Sequence, residues 1–275
     1  TCSNGKILQM AHISIIGGGL AGCEAAWQAA EFGHKVSLYE MRPEKMTAAH
    51  KSGDLAELVC SNSLGSQLIS RASGLLLDEL NSLGSLLTKC ALASQLPAGG
   101  ALAVDRAAFS SLVTQQIGSH PNITVLREEM LSLPSGPLII ASGPLTSEAF
   151  SASLRQLTGE ENLYFYDAVS PIVSRDSINM DHAFYASRYE RGVMQEGDYI
   201  NCPLTHEQYD SFVKELLSAQ KHPLLPIEKE ITTGVVAGHG EFFEGCLPIE
   251  VMASRNPLSL AFGPMRPVGL INPST

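Results

Sequence analysis

Residues 12–16 (HISII) form a short, mostly apolar run that stops at three consecutive glycines, the pattern of a buried parallel strand. Residues 21–32, rich in Ala and Glu, predict a helix that closes at Gly33, a residue suited to a helix C-terminus. A second apolar run at 35–39 (KVSLY) predicts another strand, so residues 12–39 make one βαβ unit. Residues 41–73 are polar and irregular, longer than most loops, and segments of that kind tend to carry function. A Leu-rich stretch at 75–87 predicts one helix, and Asp105 is placed to cap another that runs to about Ile117. Residues 123–127 (ITVLR) and 138–141 (LIIA) predict two further strands. Residues 145–157 predict a helix closed near Gly159. From about Ser174 the elements shorten, and Thr205-His-Glu-Gln208 has the form of a capping box opening a helix to about Gln220.

The fold class expected is α/β. A first domain is assigned to 10–173 and a smaller, incomplete α+β domain to 174–275, with the junction near 170–180. Met10 stands directly before the first strand, so 1–9 reads as an upstream extension, and the chain as an N-terminal fragment.

With 44% hydrophobic and 6% aromatic residues, composition suits a soluble α/β protein rather than a disordered or fibrous one. No stretch approaches the ~18–20 apolar residues of a membrane helix. The first nine residues lack the pattern of a secretory signal, so the cytoplasm is the expected compartment. A net charge of −10 offers no general attraction to nucleic acid, whose binding draws heavily on phosphate contacts. A local basic face could still supply it. The six cysteines (2, 23, 60, 90, 202, 246) contain no Cys-x-x-Cys pair, which argues against a zinc ribbon or a dense disulfide scaffold. The histidines show no metal-ligand spacing, so no metal is expected.

The chemistry starts at Gly17-Gly18-Gly19-Leu20-Ala21-Gly22, a Gly-x-Gly-x-x-Gly spacing between strand and helix. The first glycine permits the sharp turn, the second lets backbone approach a pyrophosphate, and the third lets helix and strand pack closely. Helix-end amides then face the phosphates. Alone the spacing is a weak signal. Here strand, helix and second strand are all present, and Glu40 follows at the roughly 20-residue interval of a ribose-binding acid. Two later segments favour FAD over NAD. Strand 123–127, with Val125, is expected to lay backbone against adenine, and Leu-Ile-Ile-Ala-Ser-Gly-Pro at 138–144, with Gly143, resembles the Ala-Thr-Gly turn of two-dinucleotide flavoproteins.

Several longer motifs stand out: Tyr-Glu-Met-Arg-Pro (39–43), Ala-Glu-Leu-Val-Cys-Ser-Asn-Ser-Leu (56–64), Pro-Ala-Gly-Gly-Ala-Leu-Ala-Val-Asp-Arg (97–106), Leu-Tyr-Phe-Tyr-Asp (163–167), Phe-Glu-Gly-Cys-Leu-Pro-Ile-Glu (243–250) and Phe-Gly-Pro-Met-Arg-Pro-Val-Gly-Leu (262–270). Together they closely resemble the bacterial folate- and FAD-dependent tRNA (uracil-5-)-methyltransferase family, from about Met10 to Leu270. The resemblance implies a Rossmann-type FAD-binding domain of the two-dinucleotide flavoprotein class, its first part at 10–173, interrupted by a smaller α+β insertion domain at 174–275. It also implies transfer of a one-carbon unit from 5,10-methylenetetrahydrofolate to C5 of uridine 54 in the tRNA T-loop. FAD, reduced by NAD(P)H, would convert methylene to methyl. Uracil C5 is a poor nucleophile until something adds at C6, and a thiolate suits that addition. The resemblance gives Cys246 this role and places Cys60 near the flavin or in proton transfer. Glu40 and Arg42 match the family segment that holds ribose and nearby cofactor groups. Cys2, Cys23, Cys90 and Cys202 read as structural or incidental. Arg188, Arg191, Lys214 and Lys221 are scattered basic residues, each better read singly as solvated surface than as an RNA patch.

The family continues for about 150 residues more, roughly one further domain, carrying the flavin-ring end of the pocket and much of the folate site. Other readings remain open at this point. They are a ribosomal RNA uridine C5-methyltransferase, an FAD-dependent NAD(P)H oxidoreductase acting on a small acceptor, a non-catalytic nucleotide-binding fragment, and, fitting less well, the flavoprotein of wobble uridines.

Overall fold

The computed structural model describes residues 10–47, 49–59, 61–143, 145–159, 173–187, 197–220 and 249–265, with the backbone of 236–237 and 240–241. The chain forms two compact units that divide at Leu163/Tyr164, with Pro97–Gly100 grouped with the second. The expected junction near 170–180 lies beside residues 160–172, which are outside the described residues.

In the first unit, β1 (His12–Ile16), β2 (Lys35–Tyr39), β6 (Ile123–Leu126) and β7 (Leu138–Ile140) form one sheet in the order β6-β2-β1-β7. Every pairing is parallel, and Ile15 stands opposite Leu38 on one side and Ile139 on the other. This is the α/β Rossmann arrangement expected from the βαβ pattern. Helix α1 (Leu20–Glu31) links β1 to β2 and ends before Gly33, whose φ of +86° permits the left-handed exit. Phe109, Val113 and Ile117 recur every four residues on α4 (Arg106–Ser119) and are fully buried in the core with Ile15, Leu38 and Ala26. The Asp105 side chain caps α4 by accepting from the Ala108 amide at 2.9 Å, as its sequence position anticipated.

Three expectations need correction. Residues 75–87 are not one helix but parts of two, α2 (Ala72–Ser82) and α3 (Leu86–Ala93). Gly84, at φ +78°, breaks the run, and Ser85 then caps α3 through the Thr88 amide. The irregular 41–73 segment contains β3 (Ser63–Ser66), which pairs antiparallel with β5 (Ala101–Val104), itself paired with β4 (Gln95–Leu96). Strands of two to four residues leave too little alternation to be read from sequence. Finally, the helix expected over 145–157 starts three residues later, as α5 (Glu148–Thr158), because Ser147 caps it and Thr146 is bound back to the Gly143 carbonyl. Gly159 closes it as expected, at φ +72°.

Glu24 of α1 supplies a second cap for α3. Its carboxylate accepts from the Leu86 and Leu87 amides (3.3 and 3.0 Å) and the Ser85 hydroxyl (2.9 Å). Glu24→Ala is therefore expected to cost about 1–2 kcal/mol, read as a lower urea midpoint with an unchanged slope.

In the second unit, β8 (Phe184–Ala186) pairs antiparallel with β9 (Tyr199–Asn201), and β10 (Val236–Ala237) with β11 (Gly240–Glu241). The Thr205–Gln208 capping box is present in both directions and opens α6 (His206–Ser218). Tyr209 and Val213 of α6 form a small core with Ala253 of α7 (Ile249–Arg255) and Leu260 of α8 (Ser259–Phe262). The Tyr209 hydroxyl donates to the Pro257 carbonyl (2.6 Å) and accepts from the Ala261 amide (3.1 Å). Among the described residues no helix is long and apolar enough to cross a membrane.

Candidate dinucleotide-binding site

The strand order places β2 and β7 on opposite sides of β1, and a cleft of about 520 Å³ opens at the C-terminal ends of these strands. That is the topological switch point at which open parallel sheets bind ligands. Gly17, Gly19, Leu20 and Ala21 form its floor, Tyr39 to Arg42 one side, and the Ala141-Ser142-Gly143 turn after β7 the other.

The four glycines of the loop owe their identity to different neighbours. Gly17 has φ +104°, and a Cβ there would lie 2.5 Å from the Ala141 carbonyl oxygen. A Cβ on Gly22 would lie 1.8 Å from the Gly17 carbonyl oxygen, so no other residue lets α1 approach the turn this closely. At Gly18, which the fingerprint leaves unspecified, a Cβ would meet Leu55 Cδ2 at 2.5 Å and Glu40 Oε2 at 2.8 Å. Gly19 differs from all of these. Its φ of −75° suits any residue, and nothing in the protein lies within 4 Å of its missing Cβ. Packing does not demand glycine at 19, whereas a group lying against the open backbone would.

Gly19 is also the N-cap of α1, with no side-chain cap and no acidic residue in the first turn. The first helical bond runs from Cys23 N to Gly19 O (3.0 Å), so the Leu20, Ala21 and Gly22 amides precede it as unpaired donors of the helix end. They carry the positive end of the helix dipole into the cleft, an arrangement that fits a pyrophosphate.

Glu40 is buried, 6% exposed, at the end of β2. Its Oε2 accepts from the Gly18 amide (2.9 Å), and its Oε1 accepts from the Arg42 amide and from Arg42 Nε (both 3.0 Å). Two oxygens offer about four acceptor positions, so one remains at Oε2 for a hydroxyl donor in the cleft. Burial alone would raise this carboxyl, but the hydrogen bonds and charge of Arg42, with the Gly18 amide, outweigh it and hold its pKa below 4.5.

Arg42, 2% exposed, lines the cleft and ties its wall together. Besides Glu40 it donates through Nη1 to Glu57 Oε2 (3.2 Å) and the Ser52 carbonyl (3.3 Å). Glu57, a site residue that the sequence reading missed, also accepts from the Lys51 and Ser52 amides and the Ser52 hydroxyl. Burial opposes its ionisation, yet these donors lower its pKa. Arg127, also unread, donates to the Arg42 and Gly53 carbonyls at 2.9 and 2.7 Å.

Val125, paired with Leu38, packs its side chain against the core, and the residues beyond its strand, Glu128, Glu129 and Met130, line the cleft. Gly143 does line the cleft, at φ +62°. Cys23 donates its thiol to the Gly18 carbonyl at 3.3 Å, and burial pushes its pKa up to about 12, so it is a packing residue. Cys60 and Cys246 lie outside the described residues, as do Arg188, Arg191 and Lys221.

Fold and cleft together define a Rossmann-class dinucleotide-binding unit. More narrowly, a family model described as glucose inhibited division protein A matches residues 12–273, and the chain belongs to that family. It is 53% identical over 264 residues to the methylenetetrahydrofolate–tRNA-(uracil-5-)-methyltransferase TrmFO of Halalkalibacterium halodurans, covering 96% of this chain and 58% of the relative. The protein of the same name from Bacillus subtilis is 52% identical over 263 residues, with the same coverage of each. The resemblance read from the Tyr39–Pro43 and cysteine-bearing motifs is borne out by these relatives. A solved structure of Aquifex aeolicus GidA matches 47% of this chain and 21% of its own at 18% identity, with a TM-score of 0.38. The chain spans 58% of the length of the curated relatives it matches.

Proposed function

We propose that this chain is the FAD-binding part of a methylenetetrahydrofolate-dependent tRNA (uracil-5-)-methyltransferase. The observation that carries the cofactor reading is the open face of Gly19 above the uncapped end of α1, beside Glu40. The Leu20, Ala21 and Gly22 amides bind the pyrophosphate, and the free acceptor position of Glu40 Oε2 takes a ribose hydroxyl. Gly143 allows the turn after β7 to lie close alongside. Arg42 and Glu57 hold Glu40 in place. When bound, the flavin supplies the reducing equivalents that take a transferred methylene to methyl, with NAD(P)H as their source.

The substrate step is assigned to the cysteines. The Cys246 thiolate adds to C6 of uridine 54 in the T-loop, making C5 nucleophilic toward the folate-derived carbon. Cys60 accepts or delivers a proton nearby. The relatives' names support the folate donor, the tRNA substrate and the uracil C5 position.

The test uses the full-length protein with FAD, NADPH, methylenetetrahydrofolate and unmodified tRNA. The expected product is 5-methyluridine at position 54, with Cys246→Ala abolishing turnover while FAD stays bound. Modification of ribosomal RNA alone, or NADPH oxidation indifferent to both RNA and Cys246, would overturn it.

A further inference from the structure

Leu55 and Ala56 cross the phosphate loop as a strap. Leu55 Cδ2 occupies the space a side chain at 18 would need, and the Ala56 amide donates to the Gly18 carbonyl at 2.8 Å. Glu40 meanwhile holds the Gly18 amide from the other side. Gly18 is thus held at both its amide and its carbonyl before any ligand arrives. The grip is not relaxed backbone: Ala56 is fully buried and adopts φ +53°, a left-handed conformation that L residues rarely take unless their surroundings impose it.

What imposes it comes partly from α4. The Leu55 amide donates to Thr114 Oγ1 at 2.8 Å, across 59 residues of sequence. The Thr114 hydroxyl in turn donates to the Ser110 carbonyl at 2.7 Å. Back-bonding to residue i−4 is ordinary for a helical threonine. Here it also spends the only hydroxyl proton, leaving the oxygen free to accept from Leu55. Thr114 does not line the cleft.

We propose that Thr114 is a positioning residue for the phosphate loop, acting through the Leu55–Ala56 strap on the Gly18 peptide and so on the amides that face the pyrophosphate. The ligand in this inference rests on the dinucleotide reading above; the mechanical link does not. Thr114→Val keeps the branched shape and removes the acceptor, leaving the Leu55 amide unpaired. An unpaired buried donor is worth about tenfold or more in an equilibrium constant.

The experiment compares wild type, Thr114→Val and Thr114→Ser by amide hydrogen exchange without ligand, FAD titration and thermal unfolding. In Thr114→Val, exchange of peptides covering 17–23 and 54–57 is expected to speed up about tenfold, and FAD affinity to fall by a similar factor. Peptides in α3 and β5 should keep their protection, and Thr114→Ser should restore both readouts. Wild-type behaviour of the valine variant, failure of serine to rescue, or uniform loosening in step with melting temperature would overturn it. If wild type takes up no FAD, the dinucleotide reading falls, while the exchange comparison still decides the role of Thr114.

Discussion

Gly19→Ser is expected to leave the ligand-free chain as stable as wild type or slightly more so, and to weaken FAD binding by about tenfold or more. Serine is a better N-cap than glycine, by a few tenths of a kcal/mol, and φ −75° accommodates it without strain. Its Cβ meets no protein atom within 4 Å. Its hydroxyl, however, would occupy the same helix-end amides that the pyrophosphate uses. Stability and binding should therefore move in opposite directions. Gly22→Ala is the contrasting case, because its Cβ would fall 1.8 Å from the Gly17 carbonyl oxygen. Helix and turn must separate, at a cost of roughly 3 kcal/mol or more, and binding is lost with the structure. Urea unfolding and FAD titration of the two variants separate these outcomes.

Arg42→Met is expected to remove about 3–5 kcal/mol, since it strands two carboxylates that share one buried cation. The pH dependence identifies the cause. In wild type the Glu40 carboxyl has a pKa lowered from 4.5, so its contribution is fully present above about 4.5 and is lost as pH falls through the lower folded value. Without Arg42, burial dominates and the carboxyl shifts upward instead. The stability gap between variant and wild type should then begin to narrow above about pH 4.5, as the raised carboxyl of the variant takes up its proton, and continue to narrow below about 4.5, where wild-type Glu40 loses its own contribution. Unfolding midpoints measured from pH 7 to pH 4 test this. A gap that stays constant would assign the loss to packing alone.

The parts of this site that were legible in sequence are those built by local pattern. Strand, glycine turn, helix and second strand follow within 28 residues, and Glu40 ends them. Gly33, Asp105 and Gly159 act as caps or exits, and such roles rest on interactions within a few residues. Gly84 was equally local but was passed over inside a Leu-rich run. Glu57, Arg127 and Thr114 were not legible for a different reason. Their roles come from contacts made 15, 74 to 85, and 59 residues away, and no periodicity reports such contacts. The cleft wall at 128–130 was not legible either, because those residues follow the strand and carry no strand or helix period.

Gly18 shows how the site is built. The fingerprint asks for glycine at 17, 19 and 22. The fourth is required by Leu55 and Glu40, which press on the loop from behind. Binding groups and their supports are therefore intermixed within six residues, and single substitutions can separate them.

The most direct measurement is titration of the 275-residue chain with FAD, followed by displacement with ADP. If the cleft at the end of β1 is a dinucleotide cradle, FAD binds saturably at one per chain, ADP competes through the pyrophosphate and ribose contacts, and Gly19→Ser weakens both ligands together. A folded wild-type chain that takes up neither FAD nor ADP would contradict the account.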